Sequence, residues 1–225
     1  MSQVTHTLVD TQTRRNCDRF KAELAASRYP SEYRENNKRD QREKNAILRC
    51  LEKIPVDAHV LDFPCGTGRL TKLLQEKFVM ISGADGAASM VKLASANTGN
   101  GPPRAVAVQF YESDVFDSGF TEGQFDSVVC NRLFHHFTEA TDRVKALSEL
   151  RRISKGSIVI SFFNSFSTSM AFRKIGKYVR RRRFDDRVGV SMNQLKQEVE
   201  SCGLKVTYAT ASRWGISPLW YIIVE

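Results

Sequence analysis

The chain has no apolar run approaching the roughly 20 residues that a membrane-spanning helix needs. Its polar opening, Met1-Ser2-Gln3-Val4-Thr5-His6, lacks the short apolar core of a secretory signal. It has no Cys-x-x-Cys pair either. Cys17, Cys50, Cys65, Cys130 and Cys202 are separated by 33, 15, 65 and 72 residues, without histidines at zinc-site spacing. Such an odd, scattered set excludes a disulfide framework and fits a reducing compartment. Clustered carboxylates of the kind that hold a catalytic metal are also missing, so no metal is expected. These absences predict a cytoplasmic protein.

What is there is globular. With 41% hydrophobic and 26% charged residues, 225 residues can bury one substantial core and carry appendages, which excludes a disordered chain or a fibre. The net charge of +9 is concentrated: residues 173 to 187 hold eight bases and two acids, a net of +6 that leaves +3 for the other 210 residues. No internal repeat is visible, and the run Arg180 to Arg183 is the only low-complexity stretch.

Residues 14 to 53 alternate acids and bases, with few apolar positions before Ile47, Leu48, Leu51 and Ile54, whose spacing is a helical stripe. This predicts a loose N-terminal arm and a cap helix in residues 1–44, and a main domain over 45–225. Pro30, Ser31 and Glu35 give an approximate helix start. From residue 57 short apolar runs alternate with amphipathic stretches, the pattern of βαβ units. Strands are expected at 58–62, 79–84, 105–111, 125–130, 157–163, 205–210 and 219–224. Helices are expected at 68–77, 87–96, 139–153, 167–182 and 191–202, with a loop over 95–104. The last two strands lack a helix between them and should form an antiparallel hairpin at the sheet edge. The fold class is α/β, a doubly wound, mostly parallel seven-stranded sheet.

His59-Val60-Leu61-Asp62-Phe63-Pro64-Cys65-Gly66-Thr67-Gly68-Arg69-Leu70 reads as strand, glycine turn and helix start. Glycine permits a sharp turn and lets a ligand approach the main chain; a tight βα turn without a ligand would look the same. Further pieces follow in order. Asp85, in Gly83-Ala84-Asp85-Gly86-Ala87-Ala88-Ser89-Met90, closes the second strand, where an acid in such sheets accepts bonds from a ribose diol. Glu112-Ser113-Asp114-Val115 closes the third, and Asp126 to Asn131 the fourth.

This ordered set resembles the class I S-adenosylmethionine-dependent methyltransferases, in particular the small-molecule branch related to ubiquinone and menaquinone biosynthesis methyltransferases. Its most specific parts are Val60-Leu61-Asp62-x-x-Cys65-Gly66-Thr67-Gly68, Asp85-x-x-x-x-Met90 and Phe134-His135-His136-Phe137. The resemblance implies S-adenosylmethionine as cofactor. Pro64, Cys65, Gly66 and Gly68 would form the turn under its methionine moiety, with Asp62 holding the turn or reaching the amino group. Asp85, followed by Gly86, would bind the ribose and Met90 would pack on the adenine. Asp114 would accept from the adenine amine, Val115 would offer a backbone donor, and Asn131 would begin the segment facing the methyl donor. Pro64 stands where the family most often has its first glycine, so this position must need neither a positive φ nor an N–H donor. A nicotinamide-dependent dehydrogenase is the competing class, but it requires G-x-G-x-x-G, and Thr71 occupies the third glycine position.

Methyl transfer to a neutral oxygen needs a base, and His135 or His136, directly after the fourth strand, has a suitable chemistry. On a helical turn adjacent side chains diverge by about 100°, so one of the two at most should face a substrate. The structural alternative has one bonding backbone and the other packing with Phe134 and Phe137. Cys65 reads as a small side chain packed under the cofactor, and His6 and His59 accompany no nucleophile motif.

The resemblance places substrate selection in the arm and in the insertion after the fifth strand. Tyr29 and Tyr33 are candidates to close over the site or to anchor the arm. The basic insertion 165–187, with Arg180, Arg181, Arg182 and Arg183, reads as a solvated face or as a recogniser of an anionic acceptor, a membrane surface or nucleic acid. It lacks the aromatic stacking platforms expected for nucleic acid, whereas arginine forks pair well with phosphate. The expected activity is methyl transfer to oxygen, less readily to nitrogen or carbon, of a small or lipid- or glycan-linked acceptor, with peripheral contact to anionic membrane. The alternatives are a cofactor-binding subunit acting through a partner, an RNA-directed methyltransferase, or the dehydrogenase.

Overall fold

The computed structural model describes residues 9–11, 13, 37–99, 107–168 and 188–225. Its first long element, α1 (Lys38–Leu51), starts at Asn37, whose side chain accepts hydrogen bonds from the backbone N–H groups of Arg39 and Asp40. That cap satisfies two of the donors a helix start leaves open. The helix buries Ala46, Ile47, Cys50 and Leu51. It ends before Ile54, which instead closes a turn by donating to the Leu51 carbonyl and packs into the same cluster. It also runs without a break across residue 45.

Seven strands follow: β1 (His59–Asp62), β2 (Met80–Asp85), β3 (Gln109–Glu112), β4 (Ser127–Cys130), β5 (Ile158–Phe163), β6 (Val206–Ala211) and β7 (Leu219–Val224). Between them lie α2 (Arg69–Gln75), α3 (Ala88–Thr98), a 3₁₀ turn (Phe134–His136), α4 (Ala140–Ile153) and α5 (Met192–Ser201). The sheet order is β3-β2-β1-β4-β5-β7-β6. The first five strands pair parallel, and β7 pairs antiparallel with both β5 and β6.

The period of two along each strand divides neighbouring side chains between two cores. Leu61, Val128, Ile160 and Ile222 face one side, with Leu147 and Leu150 of α4 and Leu195 of α5. Val60, Val129, Val159 and Ile223 face the other, with Ile47 and Leu51 of α1 and Leu70 and Leu74 of α2. Each such aliphatic side chain contributes about 1.5–3 kcal/mol by leaving water. Two covered faces explain why these strands read as continuous apolar runs.

Two expected boundaries are corrected. The loop expected from Ser95 is helix as far as Thr98. Ala94 and the Thr98 methyl lie against Gly68, and the Thr98 hydroxyl donates to the Ala94 carbonyl at 2.8 Å. Tertiary contact thus sustains a turn whose polar residues favour a loop locally. Strand β3 begins at Gln109, with Ala107 and Val108 outside it. The helix expected at 167–182 lies outside the described residues beyond Thr168, as do Pro30, Ser31 and Glu35.

Candidate active site

The order of strands reverses between β1 and β4, and the glycine turn leaves β1 at that point. In open α/β sheets a crevice forms beyond the C-terminal ends of such a strand pair. The Phe63–Pro64 bond is cis, and the positive φ angles fall instead at Gly66 (54°) and Gly68 (81°). Pro64 therefore occupies a place that asks neither for a left-handed backbone nor for a donor. Gly68 is further constrained, because a Cβ there would lie 3.0 Å from the Thr98 methyl and 3.1 Å from the Ala94 backbone.

Asp85, at the end of β2, organises the turn. One carboxylate oxygen accepts from the Gly66 N–H at 2.9 Å and the other from the Ala87 N–H at 3.0 Å. Burial pushes its pKa up to about 6 against the pull of those two bonds. Each oxygen keeps a second lone pair, so the group can still accept from a ligand. Gly86 follows it without a side chain to cover the crevice.

Asp62, at the end of β1, is fully buried. Its Oδ2 accepts from the Thr71 hydroxyl at 2.6 Å, while its Oδ1 has no partner among the described residues. Burial raises its pKa to about 7, with the Thr71 bond and Arg69 opposing. Across the switch point Asn131, just past β4, also holds a buried Oδ1 with no partner among the described residues. Buried acceptors of this kind are costly to leave unmatched, and these two sit at the C-terminal ends of the adjacent strands β1 and β4.

The other residues singled out from the sequence lie along the same edge. Cys65 is buried beside Gly83, its thiol held far above its ordinary pKa by burial, and its N–H donates to the Ala84 carbonyl at 2.8 Å. Met90 is buried with Ala87 and against Leu93. Val115 is buried, while Asp114 is exposed and accepts from the Phe116 N–H at 3.0 Å.

His135 and His136 sit in the 3₁₀ turn after β4, and both are buried. Their rings do not diverge as an α-helical turn predicts. Their centroids lie 4.2 Å apart, and the His135 ring stacks on Phe163 at 4.3 Å. The His135 carbonyl accepts from the Val188 N–H at 2.7 Å, so the chain returning from the basic insertion is tied to this turn.

Sequence reasoning missed the ionic layer beneath the site. Asp40 and Glu43 are buried on the inner face of α1. Asp40 pairs with Arg69, the residue after Gly68, and with Lys44 at 2.9 Å. Glu43 receives Arg132, the residue after Asn131, through Nη2 at 2.5 Å and Nε at 3.3 Å, and approaches Arg69 at 3.8 Å. Arg132 has a φ of 60°, rare for a residue with a side chain, and its N–H donates to the Ser161 hydroxyl at 2.6 Å. Both active-site turns are thus anchored to one helix. The signal was available: Asp40, Glu43 and Ile47 follow an i, i+3, i+7 stripe, which places the two acids on the buried face. Asn97 was also passed over, and its side chain donates to the Thr67 carbonyl at 3.1 Å.

Tyr29, Tyr33, Arg180, Arg181, Arg182 and Arg183 lie outside the described residues. Among the described residues no cluster of three or more His, Cys, Asp or Glu is placed to hold a metal, and no helix is long and apolar enough to cross a membrane. A cavity of about 480 Å³ opens at the opposite, N-terminal edge of the sheet, between Arg49, Lys53, Asp126 and Tyr208, away from the glycine turn.

Residues 60–156 match a family model described as "Methyltransferase domain". The chain is 25% identical over 122 residues to methyltransferase YqeM of Bacillus subtilis, covering 53% of this chain and 48% of that protein. It is 28% identical over 127 residues to an uncharacterised methyltransferase of Geobacillus thermodenitrificans, covering 56% of each. The chain thus spans about half the length of these curated relatives. Its fold is that of magnesium protoporphyrin IX methyltransferase from Synechocystis, a structure with bound SAH: TM-score 0.74, 14% identity, 92% of this chain and 96% of that one. The chain therefore has the Rossmann-like fold of that methyltransferase, and its residues 60–156 match a methyltransferase domain.

Proposed function

We propose that this chain transfers a methyl group from S-adenosylmethionine to an oxygen, in preference to nitrogen or carbon, of a small or lipid- or glycan-linked, anionic acceptor. One observation carries the reading: Asp62 and Asn131, at the ends of the neighbouring strands β1 and β4 beside the glycine turn, each hold a buried Oδ1 without a partner among the described residues. An ammonium group is the ligand part that two such acceptors fit, and the glycine turn between β1 and α2 leaves the main chain open to it. The narrower kinship with ubiquinone and menaquinone biosynthesis enzymes, drawn from the motifs, belongs to this proposal.

When bound, S-adenosylmethionine supplies a methyl group already activated on a cationic sulfonium. The chain's own work is to bind and to align. Gly66 and Gly68 admit the amino-acid portion, Asp62 and Asn131 accept from its ammonium, and Asp85 offers its remaining lone pairs to the ribose hydroxyls. Met90 supplies an apolar surface for the adenine, and Asp114 with the Val115 N–H supplies its polar edge. Alignment of two reactants alone is worth on the order of 7 kcal/mol or more. His135 or His136 takes the proton from the acceptor hydroxyl, a step worth ~10²- to 10⁴-fold. Arginine forks of the basic insertion recognise the acceptor's anion.

Calorimetric titration should give saturable S-adenosylmethionine binding and none with a nicotinamide dinucleotide. Labelled cofactor should then transfer methyl to a metabolite or lipid pool, with H135N or H136N lowering the rate at least tenfold at unchanged cofactor affinity. Tight nicotinamide binding, or cofactor binding with no transfer to any pool, would contradict the proposal.

A further inference from the structure

A second surface lies on the same sheet edge as the glycine turn, at the far side of the fold. The turn between β6 and β7 carries Trp214, 62% exposed, and Ile216, 42% exposed, and the residues after β5 carry Phe166, 84% exposed. Three large apolar side chains at that level of exposure cost solvation unless something covers them. The two segments are fastened together. The Thr168 N–H and hydroxyl both donate to the Gly215 carbonyl, at 3.2 and 3.0 Å, and the Asn164 N–H donates to the Pro218 carbonyl at 2.7 Å. The Trp214 ring is steadied edge-on against Trp220, with centroids 4.7 Å apart.

Charge accompanies this patch. Arg213 is exposed next to Trp214. Thr168 is also where the chain enters the insertion, whose residues 173–187 carry a net +6 beginning five positions later. A soluble protein partner would have to match a concentrated positive charge with acids, and single-stranded nucleic acid would require stacking platforms along a groove. A tryptophan, a phenylalanine and an isoleucine on two joined loops, with Arg213 exposed among them, match a different surface. Aromatic rings settle at the headgroup level of a bilayer, and Lys and Arg are drawn to its anionic lipids.

We propose that the Phe166–Trp214–Ile216 patch docks on an anionic lipid bilayer, which turns the C-terminal edge of the sheet, and the methyl-transfer site on it, towards the membrane. The patch shares no residue with the cofactor crevice, so docking and cofactor binding are separable.

The test is co-sedimentation of the full chain with phosphatidylcholine vesicles containing no or 30% phosphatidylglycerol, at low and at 0.5 M salt. The expected result is binding only to the anionic vesicles, reversed by salt, with a blue shift of tryptophan emission. The double variant F166A/W214A should bind at least tenfold more weakly while keeping its melting temperature and S-adenosylmethionine affinity. F166A alone, at a site too exposed to affect folding, should already weaken binding several-fold. Equal binding to both vesicle types, or no binding, would overturn the proposal. So would apolar variants that bind like the parent when R180Q/R181Q/R182Q/R183Q does not, or variants that lose binding to RNA instead of to vesicles. Failure of methyl transfer with docking intact would count against the proposed activity alone.

Discussion

Asp85 holds the glycine turn with both carboxylate oxygens, and this changes what its removal means. The sequence places an acid where a ribose would lie, but only the structure shows both oxygens already holding the Gly66 and Ala87 N–H groups. Asp85→Ala should therefore loosen the turn as well as lose a ligand contact. We expect S-adenosylmethionine affinity to fall about a hundredfold, with a lower melting temperature. Asp85→Asn, which keeps one acceptor, should lose about tenfold, since a hydrogen bond to a charged group is worth roughly 1.5–3 kcal/mol. Titration calorimetry and thermal melts of the two variants check this. The same burial sets a pH dependence. Asp85 and Asp62 ionise at about 6 and about 7 when folded, above the ordinary 3.8. The unliganded fold thus binds more protons than the unfolded chain across that interval. These two groups favour folding most below their ordinary pKa, and their contribution is lost as pH rises towards 7. Cofactor affinity should run the other way, because in the proposed complex the ammonium needs an ionised Asp62 and the ribose hydroxyls an ionised Asp85. It should rise by up to about tenfold per unit for each proton released between pH 5 and 7, then level off. Binding enthalpies in two buffers of different ionisation heat would show the released protons.

At the scale of elements, α1 is the piece whose meaning the sequence concealed. Short apolar runs made the central strands legible, because β1, β4, β5 and β7 lie between two cores and bury both faces. The stripe of Asp40, Glu43 and Ile47 marks the buried face of α1, but the partners that make its acids tolerable there, Arg69 and Arg132, lie 26 or more positions away. Removing one partner of such a layer leaves the others uncompensated, at a cost of about 3–5 kcal/mol. Glu43→Ala should thus lower the melting temperature by roughly 10 °C, and Glu43→Gln by less. A similar pair joins α4 to α5: Arg143 donates to Glu198 at 2.8 and 2.7 Å, and its other arm donates to the Phe137 carbonyl at 3.0 Å. Urea unfolding of Glu198→Ala should show a loss of about 3 kcal/mol, and the Arg143→Met, Glu198→Leu double variant a smaller one, the remainder reflecting the orphaned Phe137 carbonyl. The helical turn at 95–98 was hidden for a related reason. Serine, asparagine and threonine favour loops until Gly68 and Thr67 offer them contacts.

For the whole molecule, cofactor binding and stability are one equilibrium. A ligand at a hundred times its Kd adds about 2.7 kcal/mol to the folded state, which for a chain of this length is a rise in melting temperature of roughly 5–10 °C. A dye-monitored melt should show that rise with S-adenosylmethionine and no rise with a nicotinamide dinucleotide. The sheet order has a consequence for how the chain is made. β6 is synthesised before β7 but touches the rest of the sheet only through it. As the ribosome releases residues 206–211 they have no strand to join, and the apolar edge of β5 stands open at the same moment. Both needs are met by a single segment, Leu219–Val224, so folding on the ribosome should stall with five strands assembled and finish in one late step. A nascent chain arrested with β6 but not β7 outside the exit tunnel should be readily cut by protease near β6, and one arrested on a longer C-terminal linker, after β7 has cleared the tunnel, should resist.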